Sequence, residues 1–459
     1  VSEKFRPYPY QVEGAKAIQR FRGRVLLADS MGLGKSIQSL MWLSKRPDAL
    51  PGVICCPSSV KFGWARHVER LLKINPIILE GRSSYPVDGN DIFIINYDIM
   101  ADWKDELIET GFKTLVLDEI QYCANPKTKR TKACHAMAKH AEFVLGLSGT
   151  PLVNRPVELF PGLNMIRPDV FSSFWRFAME FCGPRKNHWG WEFKGATNIP
   201  RLNKLLRSTC MIRRTKAEVL QDLPSKMRNM IPIPLDDKKQ YEEAEDDFLG
   251  WLEKLDPEKR KSAAKAESIT KMGYLKRLAA ELKMGSAIEW INNWLDTNED
   301  SEKLVVFADH KSVISRLKEE CNSKSVAIDG SVPQTKRKQL VEQFREDEAT
   351  RLFIGNLKAA GTGLDGLQIA NTLVFVEFDW RPGIHAQAED RIHRIGLKEI
   401  AWIYYLISVG TIEEHLCQVI QEKQDVVART LDGGYVEGDL DIFDRLTELM
   451  AHERSRTSR

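Results

Sequence analysis

Short, uninterrupted apolar runs punctuate this chain in two separate stretches, with helix-period segments between them. In the first stretch the runs are VLLA (25–28), VICCPSS (53–59), DIFIINY (91–97), TLVLDE (114–119) and FVLGLSGTP (143–151). Runs of this length without polar alternation predict strands covered on both faces. The segments between them repeat apolar residues at helical spacing, as Ile37, Leu40, Met41 and Leu43 do. Strand alternating with helix predicts a parallel sheet wound through right-handed crossovers. The alternation returns in KLVVFAD (303–309), SVAIDGS (325–331), RLFIGN (351–356), TLVFVEFDW (372–380) and WIYYLIS (402–408), with HAQAEDRIHRIG (385–396) read as a helix. The expected fold class is α/β, with two parallel-sheet lobes and helical insertions.

The segments between and beyond the lobes have other characters. Residues 156–222 are helical and aromatic, carrying FSSFWRFAMEF and a loop RKNHWGWEF. The pair Trp189 and Trp191 reads either as a base-stacking element or as a packed aromatic loop. CMIRRTKAEVLQDLP (210–224) reads as a basic helix ended by a proline, and residues 235–300 as a charged helical insertion and hinge. The expected organisation is lobe one over 1–155, its helical insertion over 156–224, a second insertion and hinge over 225–300, lobe two over 301–430, and a C-terminal tail or helix over 431–459.

Candidate chemistry sits at the ends of the apolar runs. In VLLADSMGLGKS (25–36) a strand meets a turn with Gly32 and Gly34, then Lys35 and Ser36 open a helix. Glycines let backbone N–H groups converge on phosphate oxygens, the helix N-terminus adds positive potential, the lysine reaches the outer phosphates, and the hydroxyl can ligate magnesium. The generic pattern GxxxxGK[ST] wants glycine where this chain has Asp29. Asp118 and Glu119 emerge at the C-terminal end of a strand, where ligands bind in open α/β sheets. One such carboxylate can hold magnesium and its neighbour can orient the attacking water. Gln11, ahead of the loop, has the donor and acceptor to read an adenine edge, though its spacing alone leaves that open. The second lobe lacks a phosphate-binding loop, so the nucleotide is expected between the lobes.

Composition narrows the class. The 459 residues have room for about three domains on the length prior. No apolar run approaches the roughly 18 residues of a membrane span, and VSEKFRPYPYQ lacks the apolar core of a signal peptide. No membrane partner is expected. The eight cysteines show neither CxxC nor zinc spacing, which points to buried thiols in a reducing, intracellular setting, cytoplasm, nucleoid or nucleus. A net charge of +3 hides local bias. Residues 120–141 and 193–217 carry Lys and Arg with no acid, whereas 235–247 is acidic. Two acid-free basic stretches beside nucleotide motifs favour a polyanionic partner over a merely solvated face.

Taken in order, YQVEGA, LLADSMGLGKS, ICCPSS, LVLDEIQ, LSGTPLVNRPVEL, MIRRTKAEVLQDLPSK, LVVFADH, IDGS, AAGTGL and DWRPGIHAQAEDRIHRIG resemble the Swi/Snf group of superfamily-two helicase-like ATPases over nearly the whole chain. SGTPLVNRPVELF, HWGWEF, IDGS and QAEDRIHRIG resemble most the annealing-helicase (HARP-type) subgroup. The resemblance implies two RecA-like lobes, with ATP and Mg2+ in the cleft between them and movement along double-stranded or forked DNA. It implies that Gln11 contacts adenine, that Gly32, Gly34, Lys35 and Ser36 hold phosphates and magnesium, and that Asp118 and Glu119 handle magnesium and water. Ser148, Gly149 and Thr150 would couple the nucleotide to DNA, and Arg391 and Arg394, three apart on one helix face, would complete the site from lobe two. DNA contacts are expected at Lys127, Lys129, Arg130 and Arg155 in lobe one and at Gly361 and Gly363 in lobe two. A monomer on DNA is the expected working form, with a protein partner in a larger motor complex as the alternative. Ser30 replaces the usual acid, Gln121 the usual histidine, and Leu397 the glutamine after Gly396. These departures raise the alternative of a nucleic-acid clamp with a degenerate ATPase. None removes a catalytic carboxylate, the lysine or the arginines, so an active enzyme is expected.

Overall fold

A computed structural model describes residues 6–87, 92–152, 155–188, 190–254, 264–360, 366–420, 431 and 438–439. The chain divides into two compact units, Val1–Asp222 with Asp425–Leu440 and Leu223–Gln424 with Asp441–Arg459.

In the first unit α1 (Pro9–Arg20) leads into β1 (Arg24–Leu27), followed by α2 (Lys35–Leu43), β2 (Gly52–Cys56), α3 (Lys61–Leu72), β3 (Ile77–Ile78), β4 (Ile92–Asn96), α4 (Met100–Glu109), β5 (Thr114–Asp118), α5 (Lys129–His140) and β6 (Phe143–Leu147). The insertion contributes α6 (Phe160–Ile166), α7 (Phe174–Phe181), a hairpin of β7 (Pro184–Asn187) and β8 (Gly190–Phe193), β9 (Gly195–Ala196), α8 (Ile199–Thr209), β10 (Met211–Ile212) and α9 (Lys216–Val219). Seven strands form a parallel sheet ordered β10-β1-β6-β5-β2-β4-β3. Strands β2, β4 and β6 are buried at every position. That explains their unbroken apolar sequences, because each sheet face carries its own core, one around Trp103, Phe93 and Leu117 and the other around Trp64, Ile54 and Leu145.

Two local expectations are corrected. Residues 210–224 are not one basic helix. Met211 and Ile212 pair with Leu26 and Leu27 as an edge strand, and only Lys216–Val219 is helical. The edge of β1 needs a partner for its N–H groups, and Leu26 and Ala28 donate to the Cys210 and Ile212 carbonyls at 2.8 and 2.7 Å. Residues 184–187 and 190–193, at the RKNHWGWEF loop, are antiparallel strands, with Lys186 opposite Trp191 and Arg185 opposite Glu192, while Trp189 lies outside the described residues.

The second unit opens with β11 (Lys226–Ile233) and helices α10 (Lys238–Lys254), α11 (Ala264–Leu282) and α12 (Met284–Thr297). Then follow β12 (Leu304–Ala308), α13 (Lys311–Glu320), β13 (Lys324–Ile328), α14 (Gln334–Glu346), β14 (Thr350–Asn356), α15 (Leu357–Ala360), β15 (Thr372–Phe375), α16 (Pro382–Ile392) and β16 (Ala401–Ser408). Six parallel strands are ordered β11-β16-β15-β12-β14-β13. Residues 226–233, read as part of a helical hinge, are instead the edge strand of this sheet, in register with Ala401–Ser408 throughout. The short β17 (Gly438–Asp439) pairs with β9. No described helix is long and apolar enough to cross a membrane, and all eight cysteines are free and buried.

Candidate functional site

The strand order brings three motifs to one edge of the first sheet. β1, β6 and β5 are consecutive neighbours, and Leu147 lies in register with both Leu27 and Asp118. The phosphate-type loop, Ser148-Gly149-Thr150 and Asp118-Glu119 therefore leave the sheet side by side at its C-terminal end, the ligand-binding end of such sheets.

Lys35 is half-buried and donates to the Asp29 carbonyl at 2.9 Å and the Ser30 carbonyl at 3.4 Å. Burial pulls its ammonium down, while Glu119, Asp29 and Asp118 pull it back up. Gly34 has φ +71°, and a Cβ there would stand 2.5 Å from the Gln11 amide nitrogen. Gly149 is as constrained, since a Cβ would stand 2.2 Å from Met31 Cγ and 3.3 Å from Lys35 Nζ. Gln11 is buried, accepts from Tyr8 N–H at 3.0 Å and donates to the Leu33 carbonyl at 3.5 Å. Its amide thus lies against the loop it was expected to serve. Ser148 is buried, and its hydroxyl oxygen accepts from Thr150 N–H at 3.0 Å.

The Asp29 mismatch has a structural reason that sequence reading missed. Its carboxylate is fully buried and pairs with Arg214, whose Nη2 approaches Oδ2 to 2.5 Å and whose Nε and backbone N–H approach Oδ1 to 3.1 and 3.0 Å. Gln38 Nε2 donates to the same carboxylate at 3.0 Å and its oxygen accepts from Arg214 at 2.7 Å. Arg214 also donates to the Tyr10 carbonyl, one residue before Gln11. The neighbouring Arg213 donates to Ala28 O at 2.8 Å and Gly149 O at 3.3 Å. One carboxylate thus ties the loop, the Gln11 helix and the edge strand together. The available signal was the pair of an acid inside the loop and two arginines inside MIRRTK.

Asp118 accepts from Trp64 Nε1 at 2.8 Å, and Gln121 Nε2 donates to Glu119 at 2.6 Å. The glutamine in the usual histidine's place therefore holds the catalytic-type glutamate. Glu119 has φ +55°, a left-handed conformation costly for a non-glycine residue and frequent at functional sites. Burial, then the Glu119 charge, raises the Asp118 carboxyl to about 7. A hydroxyl at Ser36 and the carboxylate oxygens of Asp118 form an oxygen-only donor set. Such a set suits Mg2+, which takes few protein ligands and completes its shell with water and phosphate.

In the second unit Arg391 is buried in the last turn of α16, whereas Arg394 lies beyond the helix. The expectation that they share one helix face is corrected. α16 stops at Ile392, and His393, at ψ 77°, is held by its ring against the Pro224 carbonyl at 2.9 Å. What positions α16 is Glu389, which has a fully buried carboxylate. Lys226 Nζ bonds it at 2.6 Å, Arg228 grips both oxygens at 2.7 Å, and Tyr405 donates at 2.7 Å. Burial works against its ionisation, but Lys226 and Arg228 outweigh burial and hold it down at about 2. A carboxyl held below its ordinary 4.5 stabilises the fold above that pH and loses the contribution as pH falls toward 2. Glu389→Gln should therefore cost on the order of 3 kcal/mol at neutral pH, with the gap to wild type closing between about pH 4.5 and 2. Parallel melting curves of the two proteins across that range would refute it.

Lys127 and Lys129 are exposed, and Arg130 stacks over Tyr122 at 5.7 Å. Arg155 is half-buried before a short 3-10 turn. Gly361 and Gly363 lie outside the described residues.

A glycine phosphate loop with its lysine, beside an Asp-Glu strand end on a RecA-like sheet, defines the nucleotide-hydrolysing core of a helicase-like enzyme. Sequence comparison gives the family. Residues 10–324 match the SNF2-related domain and residues 286–396 the helicase conserved C-terminal domain. The chain belongs to the SNF2-related family of helicase-like ATPases. It is 35% identical over 429 residues to the Xenopus laevis SWI/SNF-related matrix-associated actin-dependent regulator of chromatin subfamily A-like protein 1, covering 92% of this chain and 44% of that protein. The Caenorhabditis elegans homolog of that protein is 33% identical, covering 92% and 62%, and the mouse DNA annealing helicase and endonuclease ZRANB3 is 32% identical, covering 93% and 41%. The chain thus spans about half the length of these curated relatives. A solved Sulfolobus solfataricus SWI2/SNF2 ATPase core in complex with dsDNA is 23% identical over 98% of both chains, with a TM-score of 0.45.

Proposed function

We propose that this chain is the motor core of a double-stranded DNA translocase that couples ATP hydrolysis to movement on DNA and acts on forks by annealing or remodelling. The observation that carries the reading is the side-by-side exit of the phosphate loop, Asp118-Glu119 and Ser148-Gly149-Thr150 from three neighbouring strands. Lys35 neutralises charge on the outer phosphates, and Glu119, held by Gln121, orients the attacking water. Ser36 and Asp118 hold Mg2+, which supplies further charge neutralisation when bound. Arg391 and Arg394 act as the second unit's contribution to the transition state. Ser148, Gly149 and Thr150 report the nucleotide state to DNA contacts at Lys127, Lys129, Arg130 and Arg155, and to the Gly361–Gly363 segment. Such contacts go to backbone phosphates and track DNA without reading sequence. The annealing activity named for ZRANB3 favours forked over plain duplex DNA as substrate.

The test is steady-state ATPase with no nucleic acid, single-stranded DNA, blunt duplex, forked duplex and duplex RNA. Duplex and fork should stimulate, fork most. Glu119→Gln should lower the stimulated rate by about 10²–10⁴, the range for removing a proton-transfer group. Turnover indifferent to every nucleic acid would overturn the reading. A second reading, the motor subunit of a larger complex, would be selected by a stoichiometric partner required for stimulation.

A further inference from the structure

Two helices of the first unit's insertion border a cavity that takes no part in the nucleotide site. α7 sinks Phe177, Ala178 and Phe181 into the core, and α8 sinks Ile199, Leu202 and Leu206. The face next to the buried one is polar on both helices. On α7 it carries Arg176 and Glu180, four apart, with the capping Ser173 three before Arg176. On α8 it carries Arg201, Lys204 and Ser208 at spacings of three and four. All six line one cavity of about 400 Å³, within the size range of small-ligand sites. Because the apolar faces are fixed in the core, the polar walls are held by the fold rather than by each other.

Charge narrows the ligand. Three cations and one acid line the cavity. Arg201 Nε stands 3.0 Å from Glu180 Oε1, so those two charges offset each other. Arg176 and Lys204 are exposed and form no ion pair among the described residues, and residues 193–217, which include α8, contain no acid. The surplus is two positive charges with N–H donors, beside serine hydroxyls. A phosphate monoester carries about −1.5 to −2 at pH 7 and three acceptor oxygens, so it matches that surplus in sign, size and hydrogen-bonding sense. An internal phosphate of DNA is a poorer match. It carries a single charge and is flanked by sugar on both sides, whereas a terminal phosphate can enter a cavity end-on.

We infer that the cavity between α7 and α8 binds a phosphate monoester, with the dianion between Arg176 and Lys204. Two sources present that chemistry, the phosphorylated 5′ end of a DNA strand and a free phosphate ester. The first source rests on the proposed DNA motor and would let the insertion sense a strand end. The phosphate chemistry itself does not depend on that reading.

The test uses the full chain in two arms, both without nucleotide. In the first, anisotropy compares an internally labelled blunt duplex carrying 5′-phosphate ends with the same duplex carrying 5′-hydroxyl ends. The phosphorylated duplex should bind at least about tenfold tighter, the lower end of what a hydrogen bond to a charged group is worth. Arg176→Ala and Lys204→Ala should each lower that preference severalfold, and the double variant should abolish it. Glu180→Gln, which releases Arg201, should raise it. Below about pH 6, where the monoester loses its second charge, the preference should fade. In the second arm, melting temperature is followed against inorganic phosphate in a Lys35→Ala background, which takes out the phosphate loop. Phosphate should raise the melting temperature there, and the double variant should lose the shift. That shift without any preference between duplex ends would assign the site to a free phosphate ester. Equal binding of both ends, together with no phosphate shift or one that the double variant retains, overturns the site. The second arm contains no DNA, so a chain that ignores DNA in the ATPase assay would refute the motor reading separately from this one.

Discussion

Lys35→Ala should abolish ATP turnover while leaving the fold in place. The ammonium is the one cation inside the phosphate loop, and no other loop residue reaches that position with positive charge. Without nucleotide it is occupied locally, donating to the Asp29 and Ser30 carbonyls of its own loop. Ser30 is half-buried and its carbonyl keeps water as a substitute partner, whereas Asp29 is fully buried, so the loss in stability should be about 1–3 kcal/mol, the cost of one buried acceptor left unsatisfied. The loss in rate should be far larger. A cation meeting phosphoryl charge in the transition state contributes on the order of 10³–10⁵ in rate when an arginine supplies it, and the lysine belongs to the same class of contact. A drop of about 10³ or more, with a melting temperature lowered by only a few degrees and unchanged duplex binding in the absence of nucleotide, is the expected result. Hydrolysis at the wild-type rate would mean that another site performs it.

How much of this was readable in the sequence follows from where each signal lies. The central strands were legible because burial on both faces leaves an unbroken apolar run, as in GVICC and IFIIN. The nucleotide motifs were legible because each is contiguous and sits at a strand end. Edge elements were not. β10 is two residues long, and β11 is buried only at Ile233 and carries Pro232, which an edge strand tolerates. Neither shows the pattern of a central strand, so helical and hinge readings won. The end of α16 was missed because the ring of His393 is held by Pro224, a partner 169 residues away that local periodicity does not register.

The residue least legible in the sequence should be among the most costly to change. Asp29 breaks the generic loop pattern, so Asp29→Gly would move the chain toward that pattern. The structure predicts that this step is destructive. Arg214 is 185 residues from Asp29 in sequence, its side chain is only 17% exposed, and its charge is balanced by this fully buried carboxylate. Removing one member of such a pair strands the other, typically at about 3–5 kcal/mol. Glycine also adds backbone freedom to the unfolded chain, by roughly another 0.5–1 kcal/mol. Asp29→Asn should cost less, because an amide oxygen still accepts from Arg214. Asp29→Gly combined with Arg214→Leu should recover part of the loss, since the uncompensated charge goes with it. The coupling in that double-mutant cycle separates a charge lock from a mere packing defect, which would give additive losses. Function should follow stability only in part. The same arginine holds Tyr10 and Gln38, so the lock also places Gln11 against the loop. Asp29→Asn, stable enough to assay, should raise the KM for ATP more than it lowers kcat, whereas an equal fall in kcat and kcat/KM would instead assign Asp29 to the transition state.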